Sequence, residues 1–179
     1  MKKIISILLL LLAHYLFAQK EMTTKTGIVN FEASVPLYEE VVATNKNASC
    51  VLNLKSGVLS SEVKMKGFEF KLSLMREHFN TKYLETDDYP TAHFKGTIVG
   101  FNWNNIDVNP KEYKLKGEMK IHGKTKKINT IVTLRKLENK LEIISDFSLN
   151  VKDFDIEIPK ILSLKVADKV NVNTHFLLQ

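Results

Sequence analysis

The chain has a single cysteine, Cys50, among 179 residues. No intrachain disulfide can form, so the fold has to be held by its core. There is no Gly-x-Ser-x-Gly elbow, no glycine-rich phosphate loop, no His-Glu-x-x-His helix and no cysteine pair, so the local signatures of a hydrolase, a nucleotide site and a zinc centre are all missing. His78, His93, His122 and His175 are scattered singly along the chain. No internal repeat, low-complexity tract or interdomain linker is visible. The formal charge of +6, from 26 basic and 20 acidic residues, is too modest to argue for nucleic acid. No motif requires a cofactor, a metal or a catalytic residue.

The N-terminus carries one strong signal. Lys2 and Lys3 precede an apolar stretch from Ile4 to Leu12, and Phe17-Ala18 offers a small-residue exit before Gln19. This is the pattern of a cleaved export signal over residues 1–18, and the stretch is shorter than the ~20 apolar residues of a membrane span. No cysteine follows to be acylated. Without residues 1–18 the chain loses two lysines and no acid, so its charge falls from +6 to +4. Residues 19–179 are expected to be one exported domain, periplasmic or secreted, and long enough to bury a core.

Beyond that point the dominant period is two. Val29, Phe31, Ala33 and Val35 alternate with polar neighbours, as do Ala48, Cys50, Leu52 and Leu54. The pattern returns in 59–65, 92–98, 113–121, 128–134, 141–151 and 170–176, giving eight candidate strands with one apolar and one polar face each. Ser56-Gly57, His122-Gly123 and Glu138-Asn139-Lys140 supply tight connections, which predicts antiparallel hairpins. Two segments break the period. Pro36 to Thr44 is read as a short helix with proline in its first turn. Leu72, Met75 and Phe79 recur at helical spacing and predict a second helix over 72–82, covering one end of the sheet. Lys152 to Lys165 reads as a long connection carrying Phe154, Ile156, Ile158 and Ile161.

Eight antiparallel strands make either an open sandwich or a closed barrel, and periodicity does not choose between them. The inward rows mix Phe31, Phe94, Leu115, Met119, Phe147, Leu149 and Phe176 with small residues: Ala33, Ala48, Cys50, Ala92, Gly96, Gly117, Ser145 and Thr174. Small inward residues leave a lumen; equally, Gly96 and Gly117 permit bends in curved strands. Cys50, inside an apolar row, reads as a small buried hydrophobe rather than a nucleophile.

Three local stretches add more than a period: Leu74-Met75-Arg76-Glu77-His78-Phe79, Tyr89-Pro90 followed by Phe94 and Gly96, and the turn Ile121-His122-Gly123-Lys124-Thr125-Lys126. Together they resemble the YceI-like family, exported bacterial proteins with a lipocalin-like barrel, some of which bind polyisoprenoid lipids. The resemblance runs from about Gly27 to Phe176. It implies an all-β fold, a single antiparallel eight-stranded lipocalin-like barrel with one or two short helices, and a lumen rather than a filled core. It further implies a carrier or sequestering protein for a long apolar lipid with an isoprenoid or quinone-like tail, its partner being a long-chain isoprenoid or other amphiphilic lipid. The tail would lie among the inward residues already named, with Gly117 between Leu115 and Met119. Phe79 would close the lumen from the covering helix; Tyr89-Pro90 reads as a rigid entry to the next strand, which leaves the Tyr89 hydroxyl free to face the ligand. His78 fits either the barrel mouth or the orientation of its own helix, and His122-Gly123 is explained by turn chemistry alone. The Lys-rich turn and the Phe154–Leu164 segment depart from many relatives.

Lys114, Lys116 and Lys120 share the outward face of one strand and lead to Lys124, Lys126 and Lys127. A solvated face that guards the sheet from pairing accounts for them; transient contact with an anionic membrane surface is the sharper reading. Two rivals to the carrier stay open: a partner-binding module with a filled core, and an extracytoplasmic enzyme with a site assembled from scattered polar residues.

Overall fold

The computed structural model describes residues 21–160 and 164–179; the expected export signal lies outside them. The strands are β1 (Glu21–Ser34), β2 (Val42–Asn53), β3 (Val58–Lys64), β4 (Glu69–Phe70), β5 (Thr91–Ile98), β6 (Lys111–Ile121), β7 (Lys124–Leu137), β8 (Lys140–Asn150) and β9 (Val166–Leu178). One helix, α1 (Ser73–His78), runs on into a wider π turn, Phe79–Tyr83. The order is β1-β9-β8-β7-β6-β5-β3-β2, and β2 pairs back to β1, closing an antiparallel barrel of eight long strands. The two-residue β4 pairs with Ala43 and Thr44 of β2, the edge that β3 leaves free after pairing Ser49–Leu52. Between those two stretches Asn45, almost fully buried, donates its amide to the Lys64 carbonyl at 2.9 Å and fills the break in the ladder.

Turn chemistry fixes the hairpins. His122 and Gly123, at φ 48° and 72°, form the two-residue β6–β7 connection between the paired Ile121 and Lys124. Positive φ at both positions matches the twist of the flanking strands. The β1–β2 connection corrects the sequence reading. No helix forms over Pro36–Thr44: Leu37 stands at φ 73° and fully exposed, while Val42, Ala43 and Thr44 pair with Glu32, Phe31 and Asn30. A helix there would remove the β1–β2 ladder that closes the barrel.

The interior divides into two halves. At one end Leu52, Leu59, Ile98, Leu115, Val132, Leu134, Leu141, Ile143 and Leu178 fill the barrel, and Trp103 and Ile106 of the β5–β6 connection pack against that end. Each such aliphatic contributes roughly 1.5–3 kcal/mol on full burial. Cys50 lies in this half with no exposed surface, and burial pushes its thiol pKa up to about 12. A thiol reagent is therefore expected to modify Cys50 only after denaturation; equal rates in native and denatured protein would contradict this placement.

On the outside, Glu142 is buried between Arg135, whose Nε–H donates to one carboxylate oxygen, and His175, whose Nε2 lies 3.0 Å from the other. The Arg135 hydrogen bond, helped by that of His175, holds the carboxyl below its usual range. A depressed folded-state pKa gives stability that is present above the unfolded value, about 4.3, and lost as pH falls through the folded value. Urea unfolding should show wild type losing stability from pH 5 towards pH 3 more steeply than Glu142→Gln; parallel pH profiles would contradict this.

Candidate functional site

The other half of the barrel is open. A cavity of about 640 Å³ is walled by Val29, Phe31 and Ala33 of β1, Val63 of β3, Ala92 and Phe94 of β5, Met119 and Ile121 of β6, Phe147 and Leu149 of β8, and Val170, Val172 and Phe176 of β9. Its size is that of a small-molecule pocket, and its walls are almost entirely apolar. The period-two pattern places these side chains, since every second residue of each strand points in. Leu72, Leu74, Met75, His78 and Phe79 of the α1 region cover one side. Under them four phenylalanines interlock: Phe79 stacks on Phe31 at 5.5 Å between ring centres, and Phe68 meets both of them at 5.3 and 5.6 Å, edge-on. Phe70 closes the group 5.1 Å from Phe79. Such pairs add roughly 0.5–1.5 kcal/mol beyond area burial.

Within the walls polar side chains are few: Ser61 of β3, beside Phe94, and Thr174 of β9, whose hydroxyl lies 3.4 Å from the Ser145 carbonyl. Glu39, His78 and Lys165 stand at the rim, beside the exposed side chains of Tyr38, Leu72 and Leu74, while Glu62 and His93 pair on the outer face of β3 and β5. His93 Nδ1 lies 3.3 Å from Glu62, and its Nε2 lies 2.7 Å from the Thr91 hydroxyl. Burial raises the pKa of the Tyr83 hydroxyl. Among the described residues no three of His, Cys, Asp and Glu come together to hold a metal ion. The arrangement can hold an apolar body inside and a polar end in water.

The floor is made by two rings lying over glycines. Gly96 and Gly117 face each other across β5 and β6, and the Phe94 ring covers both: a Cβ on either glycine would stand 2.6–2.7 Å from its tip. Phe176 covers Gly27 in the same way, 2.3 Å from where a Cβ would sit.

The Ile121–Lys126 turn belongs to a brace outside the cavity. His122 Nδ1 lies 3.1 Å from the Phe154 carbonyl and Nε2 lies 2.9 Å from the Glu85 carboxylate, so the ring bridges two acceptors. Lys124 pairs with Asp155 at 2.7 Å and holds that carboxyl below its usual range. Tyr89 stands edge-on to the His122 ring at 4.5 Å. Thus the turn ties the Val151–Phe154 segment and the 85–89 turn to the barrel, and Phe154 and Ile156 are pressed into the cavity wall.

Of the ten site residues expected from sequence, Phe31, Phe79, Phe94, Met119, Phe147, Leu149 and Phe176 stand together around the cavity. Three stand elsewhere. Tyr89 packs on His122 and Gly123, where a Cβ on the glycine would meet its ring at 2.9 Å. Leu115 is buried opposite Ile98 in the filled half. Gly117 lines no free space, because the Phe94 ring already occupies it. Conversely, Phe68, Phe70 and Phe154 were not among the expected site residues. The alternation Phe68-Glu69-Phe70 was the available signal for the first two; nothing local distinguishes Phe154 from a loop residue.

The family profile of the YceI-like domain matches residues 18–178. The chain belongs to the YceI-like domain family. Among solved structures, a polyisoprenoid binding domain from Saccharophagus degradans, implicated in plant cell wall breakdown, is similar at a TM-score of 0.78 and 12% identity over 89% of this chain and 98% of that one. BcnA of Burkholderia cenocepacia is similar at 0.71 and 17% identity, over 86% and 96%. The Campylobacter jejuni YCEI protein is similar at 0.57 and 17%, over 74% and 81%. At these identities the likeness is one of fold. No curated protein matches the chain. The closed barrel of YceI-like proteins is thus shared, and Tyr89 and His122-Gly123, which drew attention in the sequence, serve its bracing.

Proposed function

We propose that this YceI-like barrel is an exported carrier that sequesters a lipid with a long apolar tail, isoprenoid in kind, holding the tail in the cavity and the polar end at the rim. The observation that carries the reading is the apolar space of about 640 Å³ that opens at the rim of the barrel, inside a fold shared with a polyisoprenoid binding domain. At ~30 Å³ per heavy atom, the share of a water molecule in the liquid, the cavity has room for about 20 carbons. Burying them at ~0.8 kcal/mol each yields roughly 16 kcal/mol gross, against an association cost of about 4–15 kcal/mol. A tail of that length binds; one half as long barely holds. The apolar walls give a compact polar metabolite almost nothing to hydrogen-bond with.

Native mass spectrometry of the purified protein, followed by organic extraction, is the test. One apolar molecule per chain is the expected result. Repeated purification without any, together with failure to take up an added prenol, would contradict the reading and favour a module that binds partners through its outer surface. Export rests on the basic start, the apolar stretch and the Ala18 exit. The exported protein is expected to begin at Gln19 by N-terminal mass analysis, and a start near Met1 would contradict it.

A further inference from the structure

The boundary between the open and the filled half is sharp enough to gauge a ligand. On β5 and β6, Phe94 and Met119 pair and both line the cavity, Gly96 and Gly117 pair beneath the Phe94 ring, and Ile98 and Leu115 pair below that in the packed half. Across the barrel, Phe176 lines the cavity while Leu178 is fully buried beyond it. The walls thus end at the level of two rings, each lying over positions that carry no side chain of their own.

We propose that Phe94, seconded by Phe176, sets the length of tail this barrel accepts, stopping it at about four isoprene units and leaving the remainder of any longer tail outside. This rests on the tail-binding reading above. The limit follows from the cavity volume of about 640 Å³ and ~30 Å³ per heavy atom. Phe94 is the adjustable part. Its ring is held over Gly96 and Gly117, so removing it opens space that no neighbouring side chain fills, continuous with the cavity and directed towards Ile98 and Leu115. Phe70, by contrast, stands in the aromatic wall under α1; trimming it widens the cavity without lengthening it.

The test is a series of prenols from two to nine isoprene units, titrated against wild type, Phe94→Ala and Phe70→Ala. For wild type, affinity should rise at least about tenfold per unit to roughly four units and then stay flat. Phe94→Ala should move the break up by one unit. Phe70→Ala should shift affinity for all lengths together and leave the break in place. A wild-type affinity that climbs without a break, or a break that Phe94→Ala leaves unmoved, would overturn the length gauge while sparing the tail-binding reading. Absence of binding at every length would overturn both. If Phe94→Ala does not fold, Phe94→Leu is read the same way, with a smaller shift expected; failure of both to fold would make the ring a strut of the core and overturn its role as a floor.

Discussion

Gly117→Ala is expected to destabilise the ligand-free barrel by about 3 kcal/mol, the upper end of what overpacking costs, and Gly117→Phe to leave no native fold. The added Cβ would stand 2.4 Å from the Lys95 carbonyl oxygen, 2.5 Å from the Gly96 Cα and 2.7 Å from the Phe94 ring. The first two contacts are backbone, paired on both sides within the sheet, so neither can give way cheaply. Gly100→Ala supplies the comparison. That glycine has φ +71° but nothing within 4 Å of the added carbon, so only the left-handed conformational cost of about 1–2 kcal/mol applies. Urea unfolding of the three proteins checks the order. A Gly117→Ala midpoint equal to wild type would contradict the close approach of β5 and β6 beneath Phe94.

Ala92→Trp should behave in the opposite way, leaving the fold standing and abolishing its use. Ala92 points into the open half, paired with Val63 and lining the cavity. An indole there displaces about ten heavy atoms of tail, roughly half the room at ~30 Å³ each. Because the space is empty of protein, stability should stay within about 1 kcal/mol of wild type, in contrast to the cost of overpacking a full core. Affinity for a four-unit prenol should fall at least about 100-fold, the loss of only three or four buried methylenes. Unchanged affinity in a folded Ala92→Trp protein would place the tail outside the barrel.

These two substitutions also mark where sequence reading succeeded and where it stopped. The eight long strands were legible because period two is written residue by residue, and rows such as Cys50-Leu52 and Phe147-Leu149 have one inward face each. The His122-Gly123 turn was legible because positive φ demands particular residues. Small inward residues were counted as lumen, yet a sequence does not say which neighbour fills the space a glycine leaves. Ala92 borders the cavity, whereas Gly96 receives the Phe94 ring from two residues away on the same strand and Gly117 receives it from the neighbouring strand. Barrel closure lay beyond local pattern for a similar reason. The β1–β2 ladder needs Val42–Thr44 extended, and a proline before an apolar run reads locally as the start of a helix. Tyr89 and Phe154 depend on contacts with His122 from more than thirty residues away in sequence, which no window along the chain contains.

The most direct test of the account is a crystal structure of the protein bound to a four-unit prenol carrying bromine on its terminal carbon. Anomalous scattering then locates the end of the tail. The predicted position is beside the Phe94 and Phe176 rings, with the hydroxyl end at the rim near His78, Glu39 and Lys165. Bromine at the rim, on the outer wall or among the side chains of the filled half would contradict a lumen that takes the tail and stops it there.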